Sequence, residues 1–205
     1  MDNPTSGSGK SQPDVDGRRN ARNMAFGTAT YFVSALSLLI TTPLLLSMLG
    51  QEGMGVVVLV KTFLGFGPVL SLGMGEATTK FISKFRGLES PEKIQNVFQT
   101  TLTMYLILGL ASGAALFAAA GPLSMRVFDV SAENLTAAVF AFQVGAVGLL
   151  AHLLSEVMNS AIIGYERIDV SASLDAVYRI ILLVGQVTVL LCGGGVEEIV
   201  LVIVA

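Results

Sequence analysis

Two basic residues stand where charge is hard to keep. Lys61 interrupts the otherwise uncharged stretch 53–75, and Arg179 lies in the apolar stretch 171–193 with Asp175 four residues before it. A charge at the centre of a membrane helix costs roughly 2.5–3.5 kcal/mol on insertion scales, so such residues turn toward protein or water. Each lies about 12 Å into its stretch, from opposite ends, at 1.5 Å per helical residue. Facing a common space, they would make an electropositive cavity suited to an anionic headgroup, Arg offering a planar donor fork to phosphate and Lys a point charge. The competing readings are a Lys61 that snorkels to the headgroups and an Asp175–Arg179 pair that neutralises itself one helical turn apart. His152 and Glu156 are also four apart, and with Asp175 they are the candidates for ion or proton coupling. The alternatives there are interfacial placement of Glu156 and a packing role for His152.

No other chemistry is built in. One cysteine, Cys192, and one histidine exclude a disulfide within the chain and a Cys/His metal site. The loops hold no cluster of acidic or His residues for metal-diphosphate or acid/base work, so no catalytic residue, metal or cofactor is expected. Gly7-Ser8-Gly9-Lys10-Ser11 has the end of a phosphate-binding loop, but Pro4 stands where its first glycine belongs.

The elements that carry these residues follow from composition. Charged residues are 13% of the chain against roughly a quarter in a soluble domain, and 53% are hydrophobic, which excludes a soluble globular protein and a nucleic-acid binder. Residues 23–51 and 94–125 carry no charge at all. A bilayer core about 30 Å thick takes ~20 helical residues. The expectation is an all-α, polytopic transmembrane bundle with spans at about 24–49, 54–75, 97–120, 135–160 and 171–193, and a sixth begun at 199–205. Residues 1–22, rich in Ser, Gly, Asp and Asn, read as a disordered cytoplasmic tail. Pro43 in the first span and Gly65, Gly67 and Pro68 in the second are the candidate helix bends, since such breakers sit beside cavities in transporters. Gly109 and Gly113, like Gly145 and Gly148, read as close helix packing.

Basic residues divide the loops. Lys10, Arg18, Arg19 and Arg22 precede the first span, Lys80, Lys84, Arg86 and Lys93 follow the second, and Arg167 follows the fourth; the opposite loops, 50–53, 121–133 and 194–198, hold Arg126 alone. Loops rich in Lys and Arg stay in the cytoplasm, which places the N-terminus inside. Phe81, Ile82, Phe85 and Leu88 interleave with the lysines after the second span. That pattern reads either as an amphipathic helix lying on the inner surface, basic face toward anionic lipid, or as a plain positive-inside loop.

Several strings in order resemble one family. Thr42-Pro43-Leu44-Leu45-Leu46-Ser47-Met48-Leu49-Gly50-Gln51-Glu52-Gly53 resembles its turn between helices one and two, Ser71-Leu72-Gly73-Met74-Gly75-Glu76-Ala77-Thr78-Thr79-Lys80 its exit from helix two, and Gly164-Tyr165-Glu166-Arg167 its turn between helices four and five. The family is that of the polysaccharide flippases within the multidrug/oligosaccharidyl-lipid/polysaccharide exporter superfamily. The resemblance implies the N-terminal lobe of a two-lobed, multi-pass transporter of the bacterial inner membrane. Its substrate would be a polyprenyl-diphosphate-linked oligosaccharide, and its partners the bilayer and membrane proteins of the same pathway such as a glycan polymerase. Lys61 and Arg179 are not fixed by any family motif and rest on the residues alone. The alternatives are a cation-coupled multidrug exporter of the same superfamily and a non-transporting scaffold of a glycan pathway.

Overall fold

A computed structural model describes residues 13–204, with side-chain surroundings from residue 35 onward and at Phe32. Every regular element among them is helical: α1 (Pro13–Gly65), α2 (Gly67–Leu70), α3 (Met74–Gly87), α4 (Pro91–Pro122), α5 (Leu135–Gly164), α6 (Ile168–Leu191) and α7 (Val196–Val204). α1 starts at Pro13, whose fixed φ suits a first helical position, so residues 13–22 of the expected tail are helical; residues 1–12 lie outside those described. α4 also starts on a proline. It ends at Pro122, which cannot donate, and the next turn, Leu123–Val127, widens so that the Phe128 N–H reaches the Leu123 carbonyl at 3.0 Å.

Among the described residues four helical stretches are long and apolar enough to cross a membrane: Ala35–Leu70, Pro91–Val127, Leu135–Gly164 and Ile168–Leu191. The first contains a break. Gly50 has φ 71° and ψ −179°, a region open essentially to glycine, and it divides α1 between the expected first and second spans. α1 remains helical through Pro43.

α5 is the axis. The chain after Gly50 runs parallel to it through α1, α2 and α3, and the register can be followed along the contact. A Cβ at Gly145 would stand 3.1 Å from Val60, one at Gly148 3.2 Å from Leu64, and one at Gly164 2.8 Å from Ile82. Between the last two, the Thr79 hydroxyl donates to the Ser160 carbonyl at 3.1 Å. α4 runs antiparallel on another flank of α5, where a Cβ at Gly113 would meet the Ala146 carbonyl oxygen at 3.0 Å and one at Gly109 would meet Leu150 at 2.6 Å. The GxxxG glycines therefore serve close helix packing, as expected. Val57, Val60, Tyr105, Phe142, Leu153 and Val157 are the buried centre of this arrangement.

α3 corrects one reading of the sequence. It does not lie flat on a surface: it packs along both α4 and α5, with the Thr78 and Thr101 hydroxyls 2.9 Å apart across the α3–α4 contact. The Thr78 and Thr79 hydroxyls thus meet two neighbouring helices, at Thr101 of α4 and Ser160 of α5.

The loops gather at two ends. At one, the Glu52 carboxylate accepts from the Ser131 backbone and hydroxyl (2.9 Å for the latter) and from the Asn134 amide (3.0 Å), while Gly53 abuts Val196. At the other, Arg86 donates to the Tyr165 carbonyl and pairs with Glu166 at 3.2 Å. These are the two sets of loops that the basic residues separate.

The helix contacts make a prediction. Gly113→Val drives a methyl against backbone that cannot turn aside, and overpacking of this kind costs about 1–3 kcal/mol. Gly55→Ala enters open space and should be neutral or stabilising by up to about 1 kcal/mol. Thermal or denaturant unfolding of the two variants in detergent checks the difference.

Candidate functional site

The expected site residues fall into three separate groups. On α6, the Arg179 Nε donates to the Asp175 carboxylate at 2.9 Å, with both side chains about two-fifths exposed. Among the described residues the two terminal guanidinium nitrogens have no hydrogen-bond partner, so the fork stays available to a ligand. Lys61 lies on α1 beyond the Gly50 break. It is half-buried, and among the described residues it has neither an ion pair nor a hydrogen bond.

The third group surrounds the bends of the second span. Helix is interrupted between Gly65 and Gly67, where Pro68 removes a donor, and again between Leu70 and Met74. Carbonyls freed there are met locally: the Ser71 hydroxyl donates back to the Pro68 carbonyl at 2.9 Å, and Gly73, at φ 78°, starts α3. The His152 ring lies directly on Gly67, so close that a Cβ there would stand 2.7 Å from the ring carbon Cδ2 and 3.0 Å from Nε2. His152 and Glu156 share no hydrogen bond. Glu156 instead faces Gly75 of α3.

Gly75 is the floor of a polar pocket. A Cβ at this position would stand 3.0 Å from the Ser160 Oγ, 3.3 Å from the Tyr105 hydroxyl and 3.4 Å from a Glu156 carboxylate oxygen. Three oxygens from two helices thus converge on a third helix at a position without a side chain. Tyr105 is completely buried, and its hydroxyl is the one buried side-chain polar atom among the described residues without a hydrogen-bond partner. Ser71 and Glu156 sit beside it.

Sequence reasoning passes over Tyr105. Its signal was available, because Thr101, Tyr105, Gly109 and Gly113 recur every four residues and all four are buried. A tyrosine on the stripe of a helix that also carries packing glycines belongs to the interior, where its hydroxyl needs a partner. Among the described residues no group of His, Cys, Asp and Glu could hold a metal ion.

The sequence model of the MatE family matches residues 28–186, a region that contains Lys61, Tyr105, Glu156 and Arg179. No curated protein and no solved structure matches the chain.

The pocket can be probed through stability. Tyr105→Phe removes a hydroxyl that has no well-formed partner, so the melting temperature in detergent should hold or rise; a fall would reveal a bond to the neighbouring Ser71 side chain or Gly75 backbone or to a bound water. Gly75→Ala should lower it, by the equivalent of about 1–3 kcal/mol, because the methyl meets three oxygens at once.

Proposed function

Because this chain belongs to the MatE family, whose members are membrane transporters and not enzymes, we propose that it is a lobe of a flippase. On this reading the substrate is a polyprenyl-diphosphate-linked oligosaccharide, carried across the bacterial inner membrane in polysaccharide biosynthesis. The N-terminus is cytoplasmic, the lobe contributes five spans and the start of a sixth, and glycan polymerases or other membrane proteins of the pathway are partners.

One observation carries the reading. Lys61 is a half-buried cation within an apolar stretch and among the described residues has no counter-charge, whereas Arg179 already has Asp175. A cation held away from water without a partner is an unfilled electrostatic demand, which a diphosphate headgroup meets. Arg179 adds the free face of its guanidinium. Gly65, Gly67 and Pro68, with Pro43 in the preceding arm, serve as the bends beside the cavity, and Glu156, Asp175 and His152 serve in coupling.

A second reading has its own support. Glu156 beside the buried Tyr105 hydroxyl is the kind of acidic, sheltered group that a cation-coupled multidrug exporter of the same superfamily would use.

Deletion of the full-length gene separates the two. The flippase reading expects loss of surface polysaccharide, with lipid-linked precursor accumulating on the inward face. Lys61→Gln, at unchanged membrane abundance, should lower complementation about tenfold or more, the scale of a lost charge-assisted hydrogen bond. Intact polysaccharide together with new sensitivity to cationic drugs would instead establish the exporter.

A further inference from the structure

α3 and α4 form an antiparallel hairpin with a groove along its outer side. Three pairs fix the register: Gly75 beside Tyr105, Thr78 hydrogen-bonded to Thr101, and the Phe85 ring beneath the Lys93 ammonium, 5.6 Å from its centroid. The Thr78–Thr101 bond is the floor. Met74, Ala77 and Phe81 make one wall, and Val97, Thr100 and Met104 the other, around a cavity of about 360 Å³ that is open on one side. The opposite flank of the hairpin is taken by α5, through Gly75 and Ile82.

The groove is mostly apolar along its length, with Asn96 and the threonines as its polar lining, and basic at one end. From Met74 to Lys84 and from Lys93 to Met104 the two helices each rise about 15 Å, which is half of a hydrocarbon core about 30 Å thick. With the third span at 97–120, Val97 stands at the edge of the hydrocarbon and Lys84 and Lys93 stand at headgroup level. Arg86 is engaged by Glu166. Lys80, Lys84 and Lys93 have no ion pair among the described residues, although Glu89 and Glu92 lie in and just after the connecting turn. Lys93 is steered by Phe85, which itself stacks on groove residue Phe81 at 6.2 Å between centroids.

We propose that the groove between α3 and α4 is a binding site for an anionic phospholipid of the surrounding bilayer, with one acyl chain between the two walls and the headgroup phosphate between Lys84 and Lys93. Length match selects a chain confined to a single leaflet, and the lysines select an anionic headgroup over a zwitterionic one. The site is independent of the transported substrate and holds for a flippase or an exporter alike. Bound there, the lipid fills the open side of the hairpin and fixes the spacing of α3 and α4, and with it the Gly75–Tyr105 contact.

The test uses the full 205-residue chain in phosphatidylcholine nanodiscs containing a small fraction of phosphatidylglycerol with a photoreactive diazirine on its acyl chain. Adducts should concentrate on residues 74–81 and 97–104, at about tenfold or more above those from a diazirine phosphatidylcholine. The K84Q/K93Q double variant, whose changes are on the surface, should bring the anionic probe down to the zwitterionic level. Thr100→Phe, which fills the groove without altering charge, should remove both groove signals at unchanged melting temperature. Equal labelling by the two probes, uniform labelling of the perimeter, or K84Q/K93Q labelling like the parent would overturn the proposal. So would displacement of the probe by equimolar polyprenyl diphosphate, which would make the groove a substrate portal.

Discussion

Helices in a bilayer gain little from hiding apolar side chains from one another, because lipid is as apolar as leucine; what joins them is close contact and hydrogen bonding. In this chain that requirement falls on one surface of α5. Gly145, Gly148, Ser160 and Gly164 strip bulk from a single line down the helix, and Val60, Leu64, Thr79 and Ile82 come down onto it. Because the two lines must stay matched over the length of the membrane, the chain from Val60 to Ile82 cannot choose its own geometry. Its interruptions at Gly65–Gly67 and Leu70–Met74 let it remain on α5 while it passes the His152 ring.

Following α5 has a chemical result. A straight helix through residues 54–87 would keep its own carbonyls bonded and carry no pocket. The broken one turns Gly75 toward α4 and α5, where Tyr105, Glu156 and Ser160 meet, and leaves the hydroxyls of Ser71 and Thr78 to bond carbonyls one turn back, at 2.9 and 2.7 Å. Hydroxyl back-bonding of this kind satisfies a backbone that bends, which is what hydrocarbon demands of any irregular segment.

Much of this was legible in the sequence, and the boundary has a physical cause. Apolar length, the charge-free stretches and the sorting of basic loops depend on each helix and the membrane alone, so they can be read one segment at a time. Gly109 and Gly113 were readable as packing positions for the same reason: their spacing is a property of one helix. The Gly75 pocket is not of that kind. Glu156 read as a coupling candidate or an interfacial residue, with nothing to join it to Tyr105, because their meeting at Gly75 depends on how far α3 slides along α5, which Ile82 on Gly164 determines. Likewise the partners of the Thr78 and Thr79 hydroxyls, Thr101 and Ser160, are set by how the helices meet and not by any one segment. His152 and Glu156, paired on paper by a four-residue spacing, diverge because Gly67 and Gly75 each claim one.

The same contacts divide the molecule mechanically. α3, α4 and α5 are cross-linked by Thr78–Thr101 and Thr79–Ser160, and by Arg86 across to the α5–α6 turn. α6 packs chiefly on α1, with the Ser171 hydroxyl donating to Asn159 of α5 and the Tyr178 hydroxyl to the Ile203 carbonyl of α7, and only Gln186 and Leu190 of its 24 residues are buried. Lys61 therefore rides on the segment registered against α5, next to Val60 in the tight contact, whereas Arg179 and Asp175 ride on α6. Low burial in a bundle that spans a bilayer marks a helix with much of its surface open to its surroundings, so the two cations stand on helices packed in different ways: one locked by glycine contacts to α5, the other with few buried residues.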